Sequence, residues 1–189
     1  MAENKGKNKD PRKWRHLQNF TLGEEGKYAY SGSLMACRME EGTYKSLCTK
    51  LLLITAGILA LFIAAGCFPA TGMEGNAFVL IPYALAVILG ALLIYSILMM
   101  RSSGPLLREY QYEKYVYGAN RRAALGLAAC GAGLLGFAIS IARKSFTGRG
   151  IGAMILAAAF FAGLLGFLYS YRSSRKIPWE KTSGDKKAQ

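Results

Sequence analysis

Four long apolar segments constrain this chain more than any other feature of its sequence. They cover about residues 51–68, 77–100, 123–142 and 151–171, and none contains an Asp, Glu, Lys, Arg or His. Because about 20 residues rising about 1.5 Å each match a hydrocarbon core of roughly 30 Å, each segment predicts a membrane-spanning helix. The sequence therefore predicts an all-α membrane protein in which residues 47–171 form a four-transmembrane-helix bundle.

The connections between these segments alternate between short and long. Fewer residues lie between spans one and two and between spans three and four than in the stretch 101–122. Short connections force antiparallel neighbours, so we expect two helical hairpins joined by a loop over 101–122. Pro82 falls near the start of span two, where a helix tolerates proline best.

Lysine and arginine are distributed unequally around the spans. Ten precede span one, five lie in 101–122 and six in 172–189, whereas 68–76 has none and 143–150 has three. Since loops rich in these residues remain in the cytoplasm, we expect a multi-pass protein of the cell membrane with both termini cytoplasmic. The three dissenting residues, Arg143, Lys144 and Arg149, lie in a very short loop.

The formal net charge of +13 raises the question of what the basic segments bind. No recognisable nucleic-acid-binding motif accompanies them, so we do not expect nucleic acid as a partner. Basic residues that flank apolar spans favour anionic lipid headgroups instead. We expect residues 1–15 to be a disordered basic tail and residues 172–189 to be a basic cytosolic tail.

Residues 16–46 have a different pattern, which predicts a small cytosolic β element. The segments 19–22 and 27–31 flank a glycine-bounded turn and read as a hairpin. The segment 34–38 follows a Ser-Gly-Ser break and is expected to add a third strand to a meander. Such an element is marginal alone, so we expect it to rest on the membrane surface, another loop or a partner.

Tyrosines are concentrated in the connection between the two hairpins. Its periodicity does not decide between helix and strand. We expect an interfacial segment whose phenols lie at headgroup level, next to two arginines. The alternative is a cytosolic platform shared with Tyr28 and Tyr30 of the hairpin. The interfacial residues are Tyr110, Tyr112, Tyr115, Tyr117, Arg121 and Arg122.

Small residues recur along spans three and four at spacings of three or four. In lipid such residues favour helix association because they let backbones approach closely. We therefore expect these two spans to pack against each other, with a homo-oligomer interface as the alternative. The predicted packing residues are Gly126, Ala129, Gly133, Gly136, Ala159, Gly163 and Gly166.

The residue types needed for catalysis and metal binding are scarce. His16 is the sole histidine, the four cysteines form no CxxC motif, and the spans carry no carboxylates. We therefore predict no catalytic residues, no metal site and no cofactor. The expected function is a non-enzymatic scaffold or accessory subunit with a membrane-protein partner or a second copy. A lipid-modifying enzyme using Glu109 or Glu113 has no supporting motif.

Two further alternatives stay open at this stage. One is a small oligomeric transporter or channel component lined by the few polar residues of the spans: Thr55, Asn76, Tyr83, Tyr95, Ser96, Ser140 and Ser170. The other is lipid modification of Cys67, because residues 61–67 resemble a bacterial lipobox. Ala64 and the long preceding segment depart from that pattern. The overall layout is similar to that of many small bacterial four-span proteins, a likeness that implies no activity.

Overall fold

A computed structural model describes residues 20–22, 28–30, 33–68, 71, 73, 76–142 and 150–182. The chain runs in the order β1, β2, β3, α1, α2, β4, α3, α4, β5. The helices are α1 (Glu41–Cys67), α2 (Ala77–Ser103), α3 (Glu109–Ala142) and α4 (Gly150–Arg175). The strands are β1 (Phe20–Leu22), β2 (Tyr28–Tyr30), β3 (Leu34–Cys37), β4 (Leu106–Arg108) and β5 (Trp179–Thr182).

All four helices are long and apolar enough to cross a membrane, with mean hydropathies between 2.0 and 2.6 over their most apolar stretches. Large apolar side chains point outward from the bundle, and Met154 is 72% exposed. Outward-facing apolar side chains are what a lipid solvent requires. The prediction of four helices compatible with a membrane bundle is confirmed. Their orientation relative to the cytoplasm stays a prediction.

The helices form a closed ring. Each packs against its neighbours in sequence, and contacts between α1 and α4 complete the circle. Phe62 of α1 lies at the centre and is only 1% exposed. Its ring meets those of Tyr83 on α2 and Phe160 on α4 edge-on, at 5.9 and 5.6 Å between centroids. Aromatic packing in this geometry holds three of the four helices together.

Helix α1 begins earlier than the sequence predicts, inside the segment 16–46 that was expected to be a β element. Tyr44 and Cys48, four residues apart, are buried on the same face as Leu51 and extend the apolar stripe by two turns. Glu41 and Lys45 form an i,i+4 ion pair at 2.6 Å on the exposed side. Because Tyr44 is buried, the helix begins at Glu41, ten residues before the predicted start of span one.

The expected loop 101–122 is mostly ordered structure. Helix α2 runs through to Ser103, Gly104 takes a positive φ of 75°, and β4 follows directly. Helix α3 then begins at Glu109 and includes the π-helical segment Tyr112–Tyr117 before the α-helical stretch Gly118–Ala142. The segment left open between helix and strand thus contains both.

The strands form two separate sheets. The predicted hairpin is confirmed, with β1 antiparallel to β2 and Phe20 opposite Tyr30. The expectation that 34–38 extends this hairpin is wrong, since β3 pairs instead with β4 and β5 in the antiparallel order β4-β3-β5. Part of the region 172–189 expected to be a tail is also ordered, because α4 continues to Arg175 and β5 follows. The predicted tail 1–15 lies outside the described residues.

Candidate functional site at the sheet end of the bundle

The three-stranded sheet covers one end of the bundle, here called the sheet end. It collects segments from before α1, between α2 and α3, and after α4. Two backbone hydrogen bonds extend the pairing, from Cys37 N to Pro105 O at 2.8 Å and from Arg38 N to Pro178 O at 3.1 Å. The turn at Gly104 makes this possible, because a positive φ after a helix reverses the chain with little strain.

An aromatic cluster joins the sheet to the helices. The ring of Trp179 on β5 meets those of Tyr44 and Tyr112 edge-on, with centroids 5.9 and 5.5 Å apart. The hydroxyl of Tyr44 donates to the carbonyl of Met100 at 3.0 Å, which brings in α2. Trp179 Nε1 is buried without a hydrogen-bond partner among the described residues. Trp179 therefore contributes mainly through its apolar ring surface.

Two exposed ion pairs involve residues in and beside the sheet. Glu109 accepts from the hydroxyl of Ser33 and pairs with Lys181 at 3.1 Å. Arg38 and Glu180 pair at 2.5 Å. Each of these four charged side chains is more than one-third exposed, so each pair contributes at most about 1 kcal/mol and weakens with salt. Strand pairing and aromatic burial, rather than charge, hold the sheet in place.

The four predicted interfacial tyrosines divide into two groups. Tyr112 belongs to the aromatic cluster, and the half-buried ring of Tyr115 lies 6.3 Å from that of Tyr95 on α2. Tyr110 and Tyr117 are exposed. The ammonium of Lys114 lies 5.7 Å from the Tyr110 ring centroid and 5.6 Å from that of Tyr115.

The alternative of a tyrosine platform was expected to include the hairpin, through Tyr28 and Tyr30. The side chains of those two residues lie outside the described residues. Of the tyrosines in the connection between the hairpins, Tyr112 packs against Trp179, and Trp179 packs against Tyr44.

The two predicted interfacial arginines point to different surroundings. Arg122 is half-buried and donates to the hydroxyl of Ser96, a fully buried residue of α2. Ser96 in turn donates to the carbonyl of Leu92 at 3.0 Å. Arg121 is exposed and borders a cleft between α3 and α4. Arg122 therefore fixes α3 against α2, whereas Arg121 is available to a ligand.

All seven predicted packing residues are buried, but they do not share one interface. A Cβ on Gly126 would lie 2.6 Å from the Phe167 ring, and one on Gly133 would overlap Phe160, so both face α4. Gly163 of α4 faces Cys130 and Phe62, and Gly166 faces Ile58 of α1. The glycines act as sockets that receive large side chains from neighbouring helices.

Gly136 receives backbone rather than a side chain. A Cβ there would overlap the carbonyl oxygen of Phe78 on α2. Pro82 lacks the N–H that would bond this carbonyl within the helix, so the oxygen is available to tilt outward. Gly136 therefore serves the α2–α3 interface, not the α3–α4 interface that the sequence pattern predicts. Ala129 and Ala159 are buried in the core.

Several polar side chains of the spans satisfy backbone carbonyls. Thr55 donates to Leu51 O at 2.8 Å, and Ser140 donates to Gly136 O at 2.7 Å. The Tyr83 hydroxyl of α2 donates to the Phe62 carbonyl of α1 at 2.9 Å, and a Cβ on Gly66 would overlap this hydroxyl. Among the described residues, no group of three or more His, Cys, Asp or Glu side chains is placed to hold a metal ion. Thr55 and Ser140 thus bond within their own helices, whereas the buried Ser170 hydroxyl has no hydrogen-bond partner among the described residues.

Residues that sequence reasoning missed include Tyr44, Trp179, Asn120 and Ser174. The Asn120 side-chain oxygen accepts from the Ser174 hydroxyl and joins the start of the α-helical part of α3 to the end of α4. A partial signal existed for Trp179, since Pro178 cannot continue a helix and a strand-favouring aromatic residue follows it directly. The i,i+4 pair Tyr44 and Cys48 likewise continues the apolar stripe of span one.

Fold and site together define a class, a multi-pass helical protein with four candidate membrane-spanning helices and a small sheet at one end. Comparison with known protein families, characterised proteins and solved structures finds no match for this chain.

Proposed function

We propose that this protein is a non-enzymatic membrane scaffold or accessory subunit that binds a partner protein through its sheet end. In this proposal the sheet end and both termini face the cytoplasm of a cell membrane. The observation that carries the proposal is the convergence of three segments, separated in sequence by the helices, into one sheet. A chain that only needed to cross the bilayer would not require such a platform.

The edges of the sheet support a role in binding. Because β3 is central, β4 and β5 each leave one edge without a strand partner among the described residues. Such edges bind extended segments of other chains through main-chain hydrogen bonds. Leu106 and Thr182 lie on the two edge strands and are exposed. A strand added to β4 would have to displace the Gln111 side-chain oxygen, which accepts from the Arg108 backbone N–H at 3.2 Å.

The charges near the sheet support the proposed orientation. In the described part of the chain, twelve Lys or Arg and five Glu residues all lie at or beside this end. A surface with that excess of cations is attracted to anionic headgroups, which are concentrated on the cytoplasmic leaflet. The proposal therefore includes anionic lipid as a second contact of the sheet end.

The alternative of a transporter or channel component makes a different demand on the spans. A conduction path needs polar groups free to face a passing solute. In the bundle Thr55, Ser96 and Ser140 donate to carbonyls of their own helices. This arrangement favours the scaffold over a path through one copy of the chain.

Photo-crosslinking in native membranes tests the proposal. A photoreactive amino acid is placed at Leu106 or Thr182, with Met154 on the lipid-facing surface of α4 as the control. We expect one discrete protein adduct from a sheet-edge position and none from position 154. An adduct of twice the chain's mass would identify a second copy as the partner. Solute flux in proteoliposomes of the purified chain, with no adduct at either edge, would contradict the scaffold.

A further inference from the structure

A cleft of about 400 Å³ opens at the sheet end between α3 and α4. Four of its lining residues come from α3 at spacings that place them on one helix face, and two come from the last turn and a half of α4. The lining residues are Tyr117, Asn120, Arg121, Ala124, Tyr171 and Arg175. The Asn120–Ser174 hydrogen bond holds the two helices together beside it.

Two arginines make the cleft cationic. Arg121 and Arg175 are both exposed, and neither forms an ion pair within the part of the chain that the structure describes. Arg175 Nη1 donates to the Tyr171 hydroxyl at 2.8 Å, and its guanidinium carbon lies 5.3 Å from the Tyr171 ring centroid. These contacts orient one guanidinium and leave most of its N–H donors available.

The depth of the cleft matches the headgroup layer. The uncharged run of α3 begins at residue 123, two residues after Arg121, and that of α4 ends at Tyr171, four residues before Arg175. At about 1.5 Å per residue the Cα atoms of both arginines lie within roughly 6 Å of the apolar boundary along their helix axes. Lipid phosphates occupy this level, and arginine side chains extend toward it.

Apolar residues continue along both helices from the cleft toward the middle of the spans. Ala124 and Ala128 are exposed and share a face of α3 with Arg121. On α4, the half-buried Leu168 and Leu164 lie three and seven residues before Tyr171, farther into the span. The alanines of α3 and the leucines of α4 offer an apolar surface to an acyl chain. A free anion has no acyl chain and would not use this surface.

We propose that this cleft binds a phosphate group, supplied by the headgroup of an anionic lipid. Arg121 and Arg175 donate charge-assisted hydrogen bonds to the phosphate oxygens, and the two tyrosine hydroxyls lie beside them. The acyl chain lies along the apolar residues of α3 and α4 next to the cleft. The inference rests on the lipid contact of the proposed function and not on its protein partner, so the lipid site and the partner can fail separately.

Native mass spectrometry of the full chain released from nanodiscs tests this site. The discs contain phosphatidylcholine with a minority of phosphatidylglycerol, and the readout is the fraction of protein that retains one phosphatidylglycerol. The test variant is R121Q/R175Q. The control is R172Q/K176Q, which removes the same charge from exposed residues at the same end that do not line the cleft.

We expect R121Q/R175Q to lower phosphatidylglycerol retention about tenfold and the control to stay within about twofold of the unmodified chain. Equal losses in both double variants would overturn the proposal, because they would reflect general surface charge. Displacement of the lipid by millimolar inorganic phosphate would overturn the lipid as the ligand; retention in its presence supports it.

A folding control keeps the test decisive. The unfolding midpoint of each variant is measured in phosphatidylcholine alone, where we expect no change because both arginines are exposed. If R121Q/R175Q unfolds there, A124L replaces it, since leucine at this exposed position fills the cleft without removing charge. Unchanged lipid retention in A124L would overturn the site.

Discussion

The two ends of the helix bundle are built in different ways. At the sheet end, three strands from distant parts of the chain and the cluster of Tyr44, Tyr112 and Trp179 bind all four helices to one platform. At the opposite end, among the residues that the structure describes, Asn76 Nδ2 donates to Ser140 Oγ at 2.5 Å, and Thr71 and Met73 are buried. We therefore expect the bundle to stay together without the sheet, through helix packing and hydrogen bonds between the helices.

The glycine sockets lie between these ends and set the spacing of the helices. Since lipid tails are as apolar as the side chains, helix association depends on close packing rather than on a hydrophobic driving force. Phe160, Phe167 and Ile58 each enter a socket on a neighbouring helix. Damage to a socket should therefore affect the whole bundle, whereas damage to the sheet should stay at one end.

The largest effect is expected for Gly133→Leu. The new side chain would overlap Phe160, and overpacking of this kind costs about 3 kcal/mol. We expect a lower midpoint of thermal unfolding in mild detergent and loss of the monodisperse species. Gly131→Leu is the matched control, because a Cβ at position 131 meets nothing within 4 Å on the same helix. Equal destabilisation by the two variants would contradict the socket interpretation.

An intermediate effect, confined to the sheet end, is expected for Trp179→Ala. Loss of the ring between Tyr44 and Tyr112 should lower the local stability of the sheet by about 2 kcal/mol and speed its amide exchange about thirtyfold. Hydrogen exchange measures this over residues 33–37 and 106–108. Thr182→Ala on the same strand should change exchange little, because Thr182 is exposed.

The same experiment compares the two ends directly. Exchange in the middle of α4 should be unaffected by Trp179→Ala, since the sockets there are intact. Faster exchange throughout the helices would mean that the sheet stabilises the whole bundle, and the distinction between the ends would be lost.

How far the sequence predicts this molecule depends on the range of the interactions involved. The four helices follow from uncharged apolar runs, which are local and need no knowledge of tertiary contacts. The hairpin β1–β2 follows from adjacent segments and a turn. The sheet β4-β3-β5 does not, because its strands are three or four residues long and pair across more than seventy positions, as Met35 does with Leu107 and with Lys181.

The sequence pattern also does not predict which neighbouring helix each small residue contacts. A spacing of three or four shows that Gly133 and Gly136 lie near one face of a helix, but not which neighbour each one meets. Gly133 meets Phe160 of α4, and Gly136 meets the Phe78 carbonyl of α2. The sequence indicated only one of the two cleft arginines: Arg121 was among the predicted interfacial residues, while Arg175 lay in the predicted basic cytosolic tail.

The smallest effect is expected for Asn76→Ala at the opposite end. Removal of the hydrogen bond to Ser140 should cost about 1 kcal/mol in the free energy of unfolding. Denaturant titration in mixed micelles measures the loss, and hydrogen exchange of the sheet should not change. A loss of sheet protection in this variant would show that the two ends are coupled.

The central claim is that the sheet end and the opposite end lie on different sides of a membrane, with the sheet end in the cytoplasm. Cysteine accessibility tests it in a Cys37→Ser/Cys67→Ser background, where the remaining Cys48 and Cys130 are buried. Single variants Glu74→Cys and Glu113→Cys are labelled with a membrane-impermeant maleimide in intact and in permeabilised cells. The account predicts labelling of position 74 in intact cells and of position 113 only after permeabilisation. Labelling of both positions from the same side, or recovery of the chain in soluble form without detergent, would contradict it.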